Sequence, residues 1–199
     1  MQVFVNDEAR EIKIASISTL LDVITKIEVT LAPGSIMTEV ILNDKILESN
    51  WYHNAAKIYL LDEDRLHVRV EESSIIARQV LQNSKDQLSM LLKEIEEIAD
   101  AFRIQDDTEA NTKFVQGIEN LQWFLKILED ATILIGKPLD TIVDNDIVFT
   151  SYIADLSQQL DKVIDIQQQK DWIMLADVLE YELIPALEKI SRLYTILNI

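Results

Sequence analysis

A chain of 199 residues that is 48% hydrophobic can bury a real core, which argues against general disorder. Its 35 acidic and 18 basic residues leave a net charge of −17, which speaks against nucleic acid or an anionic membrane surface as a partner and leaves solubility, or a partner with a basic surface. Cysteine is absent, which removes disulfides, thiolate metal sites and thiol catalysis and suits a cytoplasmic protein, while three glycines and three prolines favour long helices over many turns.

Gln2 to Val5 alternates, Asn6-Asp7 offers a turn, and Arg10 to Ile14 alternates again, which predicts a hairpin. Ser18 is placed to cap a helix over about Thr19 to Glu28, with Leu20, Leu21, Ile24 and Ile27 at helical spacing. Pro33-Gly34 marks a turn, Thr38 to Leu42 is strand-like, and Asn43-Asp44 is a second tight-turn signal. Lys57 to Leu61 and Arg65 to Val70 follow as short strands around Asp62-Glu63-Asp64. The predicted order is ββαβββ.

From Ser73 the texture changes to long helices. Ala77, Leu81, Ser84, Leu88, Leu91, Ile95, Ile98 and Phe102 recur at spacings of four and three, a heptad seam with one polar member. Asp106-Asp107-Thr108 breaks it and can cap the next helix. There Phe114, Ile118, Leu121, Leu125, Leu128 and Ile135 continue the rhythm with Thr132 filling a gap, and Gly136 followed by Pro138 stops it. A third helix is expected from about Asp144, with Phe149, Ile153, Leu156, Leu160 and Val163 on one face and Gln167-Gln168-Gln169-Lys170 at its end. Asp171 can cap a fourth, whose seam is Trp172, Ala176, Leu179, Leu183, Ile190, Leu193 and Leu197. Pro185 inside it lacks an N–H and crowds the carbonyl of Tyr181, so a kink is expected.

The expected fold class is α+β: an N-terminal β-grasp (ubiquitin-like) domain over 1–72, then an antiparallel four-helix bundle over 73–199. Divided at Glu72, the first part carries 13 acids and 7 bases and the remainder 22 and 11, so the acidity is shared. MQVFVNDEAREI contains no basic and apolar leader, and no run of 18 apolar residues exists, so neither a secretory signal nor a transmembrane helix is expected.

Two segments carry a resemblance. MQVFVNDEAREI resembles the opening hairpin, and VILNDKILESNWYHNAAKIYLLDEDRLHVRVEE the later strands, of the sulfur-carrier branch of the ubiquitin-like β-grasp family, of the thiamine-biosynthesis type. The resemblance implies a β-grasp scaffold. Such carriers end in a flexible Gly-Gly whose carboxylate is adenylated and thiolated. Here the last strand runs into Glu71, Glu72, Ser73, Ser74 and Ile75, and the turn glycines are replaced by Asp7, Asp44 and Glu63. The implied scaffold is therefore without carrier chemistry. In the helical part, DWIMLADVLEYELIPALEKI resembles the style of small bacterial helical proteins.

Catalytic, cofactor and metal residues are not expected. His53 and His67 are the two histidines, and without cysteine they make a zinc site improbable. A di-iron bundle needs Glu-x-x-His, which does not occur, so Glu94, Glu97, Glu180 and Glu182 read as solvated helix faces. Asp144-Asn145-Asp146 has the flavour of a calcium loop but lacks the required glycine and terminal glutamate. Phosphate-cradling glycine loops and a G-x-S-x-G elbow are missing.

The candidate interface is a second apolar stripe on the second long helix. Trp123 lies about 200° around the helix from Leu121, Ile127 follows one turn later and Leu134 two turns beyond that. Either the first domain or a wide bundle core covers this stripe, or it is a homodimer or partner contact anchored by Trp123. The favoured expectation is a non-enzymatic adaptor that binds a protein partner or forms a homo-oligomer. The alternatives are a small-ligand-binding protein or enzyme subunit with a pocket between the domains, and a chaperone-like partner of a secreted or filament-forming protein.

Overall fold

Alternating apolar residues in the first part bury one face of a sheet, and the helix Leu20–Thr30 covers it. The structure, a computed structural model, describes residues 1–12, 18–48, 50–104 and 107–199, and it is α+β. The chain divides into two compact units, Met1–Ile76 and Ala77–Ile199.

In the first unit, β1 (Gln2–Val5), β2 (Glu8–Arg10), β3 (Ser18–Thr19), α1 (Leu20–Thr30), β4 (Ser35–Leu42), β5 (Lys45–Ile46), α2 (Trp51–Asn54), β6 (Tyr59–Leu60) and β7 (Arg65–Glu72) follow in order. A mixed sheet runs β2-β1-β7-β4-β5, with β1 and β7 parallel at its centre; β3 and β6 form a separate pair. Leu20, Val23, Ile24 and Ile27 of α1 share one buried cluster with Val3, Val5, Val40, Leu66 and Val68 of the sheet.

Several boundaries differ from expectation. The second strand ends at Arg10 in the described residues, and residues 13 and 14 of the expected Arg10–Ile14 segment lie outside them. Ser18 does not cap α1, because it is held in β3 opposite Leu60. Thr19 does so instead. Its hydroxyl accepts from the Asp22 N–H at 3.3 Å while the Asp22 carboxylate accepts from the Thr19 N–H at 2.7 Å, a reciprocal box that Ser18 could not close with Leu21 three residues on. The expected strand Lys57–Leu61 is shortened to β6, because Trp51–Asn54 and Ala55–Lys57 coil into successive helical turns.

The turns without glycine are held by their asparagines. Asn6, Asp7, Asn43 and Asp44 all take left-handed backbone, φ from 49° to 64°, as a two-residue hairpin turn requires. Asn6 also clasps the backbone of Val70, donating to its carbonyl at 2.9 Å and accepting from its N–H at 2.8 Å. Asn43 accepts from the Arg65 N–H at 2.9 Å and donates to the buried Asp64 carboxylate at 2.7 Å. These local bonds offset the steric cost of the left-handed region.

Asp64 makes the first unit acid-sensitive. The bond from Asn43, and then that from the Leu61 N–H, hold its carboxyl below the usual range. A carboxyl whose folded pKa is depressed stabilises the fold above its unfolded value and loses that contribution as pH falls through the folded value. Melting temperatures are therefore expected to drop below about pH 4. Asp64→Asn should melt lower than the parent at neutral pH and converge with it as the pH falls through the depressed folded value; parallel curves throughout that descent would show that Asp64 makes no charged contribution.

Among the described residues the second unit holds about six helices. They are α3 (Ser73–Ile104, whose first turn groups with the first unit), α4 (Asp107–Leu134), α5 (Thr150–Gln169), α6 (Trp172–Val178), α7 (Ile184–Glu188) and α8 (Arg192–Leu197). All eight predicted seam positions of α3 are buried. The polar member, Ser84, bonds the Leu81 carbonyl at 2.7 Å and the Tyr194 hydroxyl at 2.9 Å, which satisfies both buried hydroxyls. In α4 the seam is corrected: Phe114, Leu121, Phe124, Leu128 and Ala131 are buried, while Ile118 and Leu125 are half-buried flanks. Gly136 (φ 72°) ends it, with its N–H on the Ile133 carbonyl and the Lys137 N–H on that of Thr132.

The third long helix does not begin at Asp144. β8 (Val143–Asp144) and β9 (Ile147–Val148) form a small hairpin around a left-handed Asn145-Asp146 turn, and α5 starts at Thr150. Asp144 accepts from the Tyr152 hydroxyl and from Arg192, both at 2.9 Å, so this acidic stretch ties a hairpin down. The last helix is interrupted as well. Asp171 caps α6 as expected, and the chain then widens into a π-helical turn over Leu179–Leu183, where the Ile184 N–H reaches the Leu179 carbonyl. The wider turn immediately before Pro185 accommodates the missing N–H and the crowded Tyr181 carbonyl. Among the described residues no helix is long and apolar enough to cross a membrane.

Candidate functional site

On α4 the core face leaves two flanks. One faces α3 and carries the predicted stripe. Trp123 is 63% exposed, Leu134 is exposed as well, and Ile127 is half-buried. Within the second unit, the core formed by the described residues does not enclose the Trp123 indole.

The structure sets Trp123 beside residues of α3 that the stripe did not include. Met90, Leu91 and Glu94 of α3 and Asn120, Trp123 and Phe124 of α4 line a hollow of about 200 Å³. Met90 is 72% exposed, whereas Leu91 and Phe124 form its buried floor. Asn120 donates to both oxygens of Glu94 at 3.0 Å and accepts from Gln116 at 3.1 Å, which fixes one polar wall. Ile127 and Leu134 do not line this hollow. The one sequence signal for Met90 was the run Met90-Leu91-Leu92, where the seam needs a single apolar residue.

Chemically the hollow offers a flat indole, a thioether and a carboxylate already engaged by an amide, which are contact groups rather than reactive ones. The carboxylates Glu94, Glu97, Glu180 and Glu182 do not converge. Glu97 pairs with Lys93 at 3.6 Å, Glu180 with Arg103 at 2.5 Å and Glu182 with Lys162 at 2.6 Å. His67 stacks on Phe4 at 4.4 Å in the sheet of the first unit. Among the described residues no group of three or more histidine, aspartate or glutamate side chains is placed to hold a metal ion.

A family model described as Domain of unknown function (DUF8042) matches residues 79–193, more than half of the chain. No curated protein and no solved structure matches.

Proposed function

The chain belongs to the DUF8042 family, whose description assigns no activity, and from that premise we propose that it is a non-enzymatic adaptor that binds a protein partner or a second copy of itself. The observation that carries this reading is the exposed pair Trp123 and Met90 above a buried apolar floor. A large aromatic with little conformational freedom and a pliable thioether are typical anchors of protein contacts. The solvent side of a helix that already has a complete core face has no structural need of either.

The finer architecture belongs to the same proposal. The first unit is read as a β-grasp scaffold, supported by its central parallel pair β1/β7 and by α1 packed on the sheet. It is read as lacking carrier chemistry, because β7 passes into α3 at Ser73 with no glycine pair between them. The second unit is read as an antiparallel four-helix bundle whose fourth rod is the interrupted run Trp172–Leu197, supported by the buried seams of α3, α4 and α5.

Trp123→Ser in the full chain tests the adaptor reading. The melting curve should stay within about 0.5 kcal/mol of the parent, as for an exposed position. Partner affinity or self-association, followed by solution mass and by capture from the native host, should fall about tenfold or more. Large destabilisation of a protein that is monomeric throughout would assign Trp123 to the core and end the proposal.

A further inference from the structure

The opposite flank of α4 carries a larger feature. Between α4 and α5 runs an open groove of about 930 Å³. Its floor includes Leu125 and Ile133 of α4 and Ile153, Leu160 and Ile164 of α5. Leu125, Ile153 and Leu160 are half-buried against the core, and Ile133 and Ile164 are 54% and 38% exposed. On α5 these residues sit at helical spacing, so the apolar track follows the helix axis. The groove lining on α5 runs from Thr150 to Ile164, ~21 Å, the length of a helix of about fourteen residues.

The rim is acidic. Among the described residues, Glu129, Asp140 and Asp161 line it together with a single cation, Lys126. Lys126 is held by Asp130 at 2.7 Å and Glu129 at 3.6 Å, so its charge is already balanced. Among the described residues Asp140 and Asp161 have no ion-pair partner, and the chain as a whole carries −17.

We propose that the α4/α5 groove binds a basic amphipathic helix of a protein partner, whose apolar stripe enters between Ile133 and Ile164 and whose lysines or arginines meet Asp140 and Asp161. This goes beyond the adaptor reading, since it concerns a different face and states what fills it. Charge complementarity selects the occupant. A second copy of this chain would bring another −17 against an acidic rim, and an anionic membrane would be repelled in the same way. A helix filling an elongated apolar groove with spaced anchors is an established mode of recognition, and the flanking charge decides which helix enters.

The probes are two synthetic peptides of about fifteen residues with the same leucine stripe, one flanked by lysines and the other by glutamates. Both are titrated calorimetrically into the full-length chain at low and high salt. The lysine peptide should bind at least about tenfold more tightly than the glutamate peptide, with an advantage that shrinks as salt is added. Ile133→Lys, at an exposed position, should weaken the lysine peptide about tenfold, and the pair Asp140→Lys/Asp161→Lys should do the same while flattening the salt dependence. Trp123→Ser should leave it unchanged, which separates this groove from the α3/α4 face. Equal binding of the two peptides, binding insensitive to Ile133→Lys, or binding lost with Trp123→Ser would overturn the assignment. So would a dimer that Ile133→Lys dissolves, because the occupant would then be a second copy.

Discussion

Phe149→Ala should destabilise the helical unit by about 3–5 kcal/mol in a denaturant titration. The ring is fully buried at the residue that opens α5, and it meets Tyr152 edge-on with centroids 5.5 Å apart. Its backbone closes the small hairpin through the bond from its N–H to the Ile142 carbonyl at 2.8 Å. Truncation therefore leaves a cavity beneath the junction of hairpin and helix, where Tyr152 also supports Asp144. Val148→Ala, one residue earlier and 37% exposed, should cost less than about 1 kcal/mol. Similar losses at both positions would mean that the hairpin, rather than the aromatic plug, dominates.

Gly117→Leu should cost about 3 kcal/mol, for the opposite reason. Gly117 is buried in α4 where it passes α3, and a Cβ built there would stand 2.5 Å from the terminal methyl of Ile98. Four added carbons cannot enter without separating the helices. Gly117→Ala should be close to neutral, because alanine gains about 1 kcal/mol of helix propensity and the Ile98 methyl, at the end of a flexible side chain, can turn aside. Combining Gly117→Leu with Ile98→Ala should recover part of the loss, a coupling that a double-mutant cycle measures. If the two changes simply add, the close approach at Ile98 is not the source of the cost.

What could be read in advance depended on how many turns or strand residues repeated a pattern. The eight seam residues of α3 span the helix, so their spacing alone located its buried face. In α4 the same rhythm was compatible with Leu125 or its neighbour Phe124, and only the packed unit shows that the phenylalanine is the buried one. The β8–β9 hairpin was missed because two residues per strand carry no periodicity, and its Asn145-Asp146 turn was weighed as an ion loop. Yet the same dipeptide makes the turns at Asn6-Asp7 and Asn43-Asp44, so a third hairpin was legible by analogy within the chain. Of the candidate interface, Trp123 follows from helical geometry, whereas Met90 is its neighbour through packing of α3 on α4. The α4/α5 groove is likewise built by two helices, and no single segment announces it.

The three tryptophans differ in their surroundings. Trp51 is half-buried against Tyr52, Trp172 is half-buried and stacked on Phe102 at 5.3 Å, and Trp123 is 63% exposed. The intrinsic emission of the protein therefore has one component, that of Trp123, more open to quenchers than the other two. Neutral acrylamide reaches that indole freely, whereas iodide is held back by the negative field of a chain carrying −17. A partner that seats on the α3/α4 face moves this component toward the blue and shields it from both quenchers, and a helix in the α4/α5 groove leaves it untouched. The protein thus carries an unlabelled optical reporter at one of its two faces and none at the other.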